Sequence, residues 1–249
     1  MLINNHLIGF GGAPSGGGYA CDAIALDGST YGDYGSTPAG LADGKKITAS
    51  FWYKKDSDDT VEPIYFGTPN GDFQIVFQDT NKLNIRGFTS GFSKILEVYS
   101  TGTQVVADGW VHWYLAVDLS ATTVDLYRNG VDDSPDEDTV TDSTMDLAES
   151  GAHIFANHSA GTIASGDLAE FWMHTNYYDA ATYASSFVTG GKPVDLGADG
   201  STPTSVQPLF YYHLDVDEAA ANFFTNAGTG GNPTATGGSL STASTSPSD

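Results

Sequence analysis

The side chains best equipped for chemistry in this chain are its carboxylates, 31 in all against 9 basic residues. Acetal hydrolysis through a covalent intermediate needs two carboxyl groups held about 5 Å apart, one as nucleophile and one as acid and base. On a single strand that pair falls at i and i+4, because alternate side chains share a face. The six glutamates are Glu62, Glu97, Glu137, Glu149, Glu170 and Glu218, and no two of them stand four apart. Asp136, Glu137 and Asp138 are contiguous in the polar run Asp132–Asp146, which has the character of a solvated loop rather than a held pair. A pair assembled across strands stays open. No Gly-x-Ser-x-Gly turn presents a serine nucleophile. The histidines (His6, His112, His153, His158, His174 and His213) are scattered and form no zinc spacing. Cys21 is the single cysteine, so no intrachain disulfide forms, and it reads as a small buried hydrophobe.

Two kinds of non-catalytic site have candidate residues. Calcium takes six to eight oxygens, and the runs Asp56-Ser57-Asp58-Asp59 and Asp132–Asp138 are rich in them, although neither has the EF-hand spacing. No cofactor is required by any motif, and calcium is the one ion these runs bring into consideration. Tyr31, Tyr34, Tyr177 and Tyr178 fall in loop-like contexts where an aromatic ring can stack on a sugar face. The same residues would serve equally well in packing on the outside of a sheet or against a protein partner.

The elements that must position these groups are strands. Val111, Trp113, Leu115 and Val117 alternate with His112, Tyr114, Ala116 and Asp118, the period-two pattern of a strand with one face in a core. Val124 and Leu126 repeat it, and Asn129-Gly130 supplies a turn able to take positive φ. Ile47, Ala49, Phe51 and Tyr53 share one face of a further strand, as do Phe73, Ile75 and Phe77. Helical spacing is almost absent outside 179–188. The 30 glycines fit a chain of many short strands and turns.

The ordered segments carry a resemblance. GWVHWYLAVDLSATTVDLYRNG resembles the hairpin of laminin-G-like domains in the concanavalin A-like lectin and glucanase superfamily. AIALDGSTY resembles their opening segment, KKITASFWYKK an early strand, and GDLAEFWMHTNYYD the closing strand with its trailing short helix. The resemblance runs from about Ala23 to Phe187. It implies an all-β, two-sheet antiparallel jelly-roll sandwich over residues 19–190. It also implies that Glu170 is a structural residue of the closing strand. Ala169 stands where many members carry an aspartate of a calcium site, which counts against such a site here. Enzymes of this fold carry Glu-x-Asp-x-Glu or Glu-x-Asp-x-x-Glu, and neither occurs.

Outside that unit lie a Gly-rich arm, residues 1–18, and a segment, 191–249, of one β-prone strand followed by a Gly, Ser and Thr-rich tail. The arm holds Leu2, Ile3, Leu7, Ile8 and Phe10, and the tail holds Phe223 and Phe224. Apolar residues on such extensions suggest anchoring, the tail against the sandwich or a neighbouring copy, the arm against a partner or as an edge strand of its own. The phrasing of residues 191–249 resembles the C-termini of virion proteins of tailed bacteriophages. It implies a virion structural protein, a capsid decoration or head fibre present in many copies or as a homo-oligomer, with phage capsid or tail proteins as partners. The rival expectation is a carbohydrate-binding adhesion or receptor-binding module that meets surface glycans; a glycan hydrolase is more distant.

Charge narrows the partners further. A formal net charge of −22 repels nucleic acid and anionic lipid alike. No stretch approaches 18 apolar residues, and MLINNHLIGF lacks the features of a secretory signal, so the expected route is synthesis in a host cytoplasm and residence in the virion.

Overall fold

The computed structural model describes residues 19–67, 73–133, 135–148, 150–157 and 159–249. The expected anchoring residues of the arm, Leu2, Ile3, Leu7, Ile8 and Phe10, lie outside them, as do His6, Glu149 and His158.

The strands in the first half of the chain are β1 (Ile24–Asp27), β2 (Tyr31–Asp33), β3 (Lys46–Lys54), β4 (Glu62–Phe66), β5 (Phe73–Phe77), β6 (Lys82–Phe88) and β7 (Lys94–Thr103). They continue as β8 (Val111–Asp118), β9 (Thr123–Arg128), β10 (Val131–Asp132), β11 (Asp136–Val140), β12 (His153–Ile154) and β13 (Ser165–His174). A one-turn helix α1 (Ala180–Tyr183) follows, then β14 (Val188–Thr189), β15 (Lys192–Pro193), β16 (Phe210–Tyr212), β17 (Thr234–Thr236) and β18 (Ser241–Thr242).

These strands form two antiparallel sheets of a sandwich. The first runs β10-β9-β8-β3-β13-β1-β18, with β16 also on β13; the second runs β11-β7-β6-β5-β4-β12-β2-β17. The β8–β9 hairpin expected from sequence is present, with Trp113 opposite Arg128 and Val117 opposite Val124. Its following turn uses Asn129 at φ 52° and Gly130 at φ 76°, the positive-φ pair that an Asn-Gly dipeptide tolerates. Between the sheets, Ile47, Ala49, Phe51 and Tyr53 of β3 meet Phe73, Ile75 and Phe77 of β5 and Trp113, Leu115 and Val117 of β8 in the principal core.

One glycine in this frame has a steric reason. Gly166 takes φ +108°, and a Cβ there would lie 2.5 Å from the Lys54 carbonyl oxygen. That close approach lets the Tyr53 hydroxyl donate to the Ser165 carbonyl.

Two expectations are corrected. First, β8 is buried on both faces, where alternation predicted one. The outward residues Tyr114 and Ala116 join Trp172, Tyr178, Phe187, Leu196 and Tyr211 in a second apolar cluster beneath α1 and the C-terminal segment. Second, the acidic run after Asp132 is not simply a loop: Asp136–Val140 is β11, an edge strand on β7. Its carboxylates point to water, as suits an exposed edge. Residues 191–249, expected to pack on the sandwich or on a neighbour, lie on the sandwich. They contribute β16 and β18 to the first sheet and β17 to the second. Phe223 and Phe224 are buried in the principal core against Phe155 and Tyr212, so of the two packings expected for them the intramolecular one occurs. Burying rings of that size is worth roughly 2–3 kcal/mol each, which explains why an apparently low-complexity tail folds back.

Candidate functional site

The C-terminal segment builds a cavity on the outside of the first sheet. Strand β13 lies at the centre of that sheet, and its outer edge changes partner part-way along: Ser165–Leu168 pair with β1, and Phe171–Met173 pair with β16. Between them the register against β3 shifts and Glu170 takes φ 53°, a β-bulge with a positive φ on a non-glycine residue. The period of two on β16 sends Phe210 and Tyr212 into the core and Tyr211 outward, with His213 stacked beside it at 4.4 Å and 12°.

Around that outward face lies a cavity of about 430 Å³ lined by Tyr19, Asp195, His213, Asp215, Glu218 and Asn222, with Tyr211 at its base. Its walls are fixed by local hydrogen bonds. The Gly197 amide donates to Asp195 at 2.8 Å, the Asp215 amide to Glu218 at 3.1 Å, and the Asn222 side-chain amide to Glu218 at 3.0 Å. Burial pushes the His213 imidazole pKa down, and its buried Nδ1 has no hydrogen-bond partner among the described residues. Among the described residues no lysine or arginine lines the cavity.

Glu170 stands behind this wall, 3% exposed. Its carboxyl accepts from the hydroxyls of Tyr19 at 3.0 Å and Tyr211 at 2.8 Å. Desolvation raises its pKa to about 7, against the lowering effect of the two hydroxyls. Both oxygens are therefore engaged away from solvent, in keeping with the structural role implied for this residue. The other described glutamates with bonded carboxyls are engaged likewise. Glu62 accepts from Thr60 and the Ser165 amide, and Glu97 from Arg86, Lys94 and Tyr99.

The tyrosines singled out from sequence do not assemble into one surface. Tyr31, on β2, meets His153 edge-on at 5.1 Å. Tyr34 bonds Tyr212 through its hydroxyl and packs on Phe210. Tyr177 donates to Asp125 at 2.8 Å and is half-buried. Tyr178 is 9% exposed, edge-on to His174 and Tyr183, and its backbone carbonyl accepts from Tyr114. That burial removes Tyr178 as a stacking platform.

Carboxylates of the oxygen-rich runs are engaged in internal hydrogen bonds and ion pairs. In the first, Asp56 accepts from the Ser165 hydroxyl, Asp58 from the Val106 amide and Asp59 from the Asn81 side chain. The positive charge there is supplied by Lys55, 2% exposed, whose ammonium donates to Asn81 at 2.8 Å. In the second, Asp133 accepts from the Thr101 and Gly102 amides and Asp138 pairs with Lys94. Among the described residues no three His, Cys, Asp or Glu side chains are arranged to hold a metal ion.

The cavity residues that sequence reasoning missed are Tyr19, Tyr211, His213 and Asn222. Alternation within Phe210–Leu214 was the available signal, since it places Tyr211 and His213 on the face opposite Phe210 and Tyr212.

The architecture has relatives. A protein from Bacteroides ovatus ATCC 8483, described as a candidate carbohydrate-binding protein, matches at a TM-score of 0.64 and 15% identity, over 90% of this chain; the match spans only 60% of that protein's length. A native heptameric SAP-like pentraxin from Limulus polyphemus matches at a TM-score of 0.49 and 15% identity, over 68% of this chain and 83% of the pentraxin. None of the curated proteins compared matches this chain. The Laminin_G_3 family model, described as the concanavalin A-like lectin/glucanases superfamily, matches residues 27–182, and the cavity residues from Asp195 onward lie beyond that stretch. The chain belongs to the concanavalin A-like lectin/glucanases superfamily.

Proposed function

We propose that the chain is a non-catalytic carbohydrate-binding module whose sugar-facing site is the cavity beneath the C-terminal segment. The observation that carries this reading is the cavity itself. It is large enough for a monosaccharide residue, and it presents the half-buried ring of His213 among the acceptors Asp195, Asp215 and Glu218 and the amide of Asn222. A sugar is recognised by that combination, a ring beside its apolar face and polar groups around its hydroxyls. The fold match to the Bacteroides ovatus protein supports it. The engagement of Glu62, Glu97, Glu170 and Glu218 in internal hydrogen bonds supports the non-catalytic half.

Titration against a glycan array tests the reading. Binding is expected for wild type, falling at least about tenfold in His213→Ala and Asn222→Ala, the loss of roughly one good contact each. Absence of binding to any glycan, or binding indifferent to both substitutions, overturns it.

The carrier we propose is a tailed-phage particle, with the module as a capsid decoration or head fibre. Its support is the resemblance of residues 191–249 to phage virion C-termini. Because Phe223 and Phe224 are occupied inside the sandwich, attachment falls to the arm with Leu2, Ile3, Leu7, Ile8 and Phe10. Mass spectrometry of purified particles should find the protein in high copy relative to the capsid protein, and deleting residues 1–12 should abolish its incorporation. Unchanged incorporation sinks the arm as anchor.

A further inference from the structure

The N-terminal and C-terminal segments of the described chain meet on Glu170. Tyr19 precedes β1 and belongs to no strand, and Tyr211 lies in β16; one carboxyl holds both hydroxyls. Close by, the Ser248 hydroxyl donates to the Cys21 carbonyl at 3.2 Å and accepts from its amide at 3.3 Å, while the Ala243 amide donates to the Ala23 carbonyl at 2.8 Å. Glu170 reaches this junction because the bulge at φ 53° turns it out of the regular register of β13. A positive φ on a non-glycine residue costs of order 1–3 kcal/mol and persists where the surroundings demand it.

The groups that act on this carboxyl are Tyr19 and Cys21 from the N-terminal segment, Tyr211 and Asp215 from β16 and the chain beyond it, and Asp195 from the connection before it. At the neighbouring Cys21 contact stand Asp22 and Asp249, and the Lys192 ammonium donates to the Ser248 carbonyl at 2.7 Å. No cation bonds Glu170 itself among the described residues, and Asp195 and Asp215 repel a charge on it. A neutral carboxyl needs no counter-charge here: with one hydroxyl turned round, it accepts from one tyrosine and donates to the other. An ionised one keeps two donors but loses bulk water with no counter-charge in return.

Ionisation is relieved by letting water in, and the two tyrosines are unequal in what that requires. Tyr211 is 1% exposed, its strand is paired with β13, and its amide donates to Asn226. Tyr19 is only half-buried and has no ladder to break. Lifting Tyr19 also opens the cavity, because its ring is part of the wall.

We propose that Glu170 is a proton-controlled clasp, holding Tyr19 and the N-terminal segment on the outer face of the sandwich while neutral, and releasing them with opening of the cavity when ionised. The clasp does not depend on what the cavity binds.

Cys21 provides the readout, being the only thiol of the chain, 1% exposed and two residues from Tyr19. Its alkylation by neutral N-ethylmaleimide is measured against pH and divided at each pH by the rate for the urea-unfolded protein, which removes the intrinsic titration of the thiol. Protection should fall about tenfold between about pH 6 and about pH 8.5, the change expected if the carboxyl titrates near 7 when clasped and near 4.5 when open. In Glu170→Gln, which is neutral at every pH, protection should stay flat. Protection that is flat in wild type, or that falls equally in the variant, overturns the clasp. Should the variant not fold, a 13C-glutamate titration of the wild-type protein decides. A carboxyl midpoint near 7 that coincides with the loss of Cys21 protection upholds the clasp, and none in that range overturns it.

Discussion

Lys55 and Glu170 are both almost wholly buried, at 2% and 3% exposed, yet the protein treats the two ionisable groups in opposite ways. The Lys55 ammonium lies 5.6 Å from the Phe77 ring centre, bonds Asn81, and sits in the field of Glu62, Asp58, Asp59 and Asp56. Burial draws its pKa down, and those four carboxylates draw it back up. Glu170 has two tyrosine hydroxyls and two aspartates of its own sign. An interior charge can be kept where counter-charges come with it, and otherwise a proton must take their place. In a chain with 9 cations against 31 anions the scarce partner is always the cation. One of them stands inside the acidic Asp56–Asp59 turn, and none is available for Glu170.

The largest expected effect comes from breaking the first arrangement. Lys55→Met keeps the length of the side chain and its packing on Phe77, but leaves the buried Glu62 without the cation in its field. Removing one partner of a buried ionic group costs about 3–5 kcal/mol, which urea unfolding would read as a lowered midpoint at an unchanged slope. A cost below about 1 kcal/mol would mean that water already compensates this carboxylate, and the contrast with Glu170 would collapse.

The second effect is a pH dependence of opposite sign at two glutamates. Glu170 has its folded pKa raised to about 7. Its contribution to stability is therefore full below the unfolded value of about 4.5 and is lost as pH rises from there through about 7, by at most about 3 kcal/mol. Glu97 is the reverse case. Bonds from Lys94, Tyr99 and Arg86 hold it at about 2 against the opposing pull of burial, so its contribution is present above about 4.5 and lost as pH falls through about 2. Relative to Glu170→Gln, wild type should thus lose stability between about pH 4.5 and about 7, and lose none from this group below that window. A stability difference between the two that stays constant across the window would locate the titrating group elsewhere.

The same contrast separates what could be read from sequence from what could not. The strands of both sheets were legible because hydrophobic alternation is local, as in Ile47–Tyr53 and Phe73–Phe77. The Asn129-Gly130 turn was legible because its backbone needs those residue types. The structural part of Glu170 followed from the ordered resemblance of GDLAEFW and its neighbours. The cavity was not legible, since it depends on residues 195–227 folding back across β13. Its clearest local clue, the alternation of Tyr211 and His213 against Phe210 and Tyr212, says which face each side chain takes but not what covers that face. Phe223 and Phe224 were open between the sandwich and a neighbour for the same reason: a pair of phenylalanines in a Gly and Thr-rich run reports the need for burial, not its place. The Lys55 ammonium was hidden by proximity, because a lysine beside three loop aspartates looks like any solvated side chain until Phe77 and Asn81 enclose it.

An exposed lysine should matter far less. Lys45 pairs with Asp142 at 2.6 Å, but their side chains are 37% and 56% exposed. Lys45→Gln removes the same formal charge as Lys55→Met. In water, however, an ion pair of this kind contributes about 0–0.5 kcal/mol, because both groups are solvated with or without each other. Any residual cost would come from adding one more uncompensated negative charge to a molecule already at −22, and such long-range repulsion is screened once the Debye length falls to about 3 Å at 1 M salt. The expected result is a small loss of stability at low salt that disappears at about 1 M, whereas the loss in Lys55→Met persists because Lys55 and its neighbour Glu62 are buried away from the electrolyte. If salt rescued both variants alike, Lys55 would be acting through the overall charge of the chain and not through the groups that enclose it.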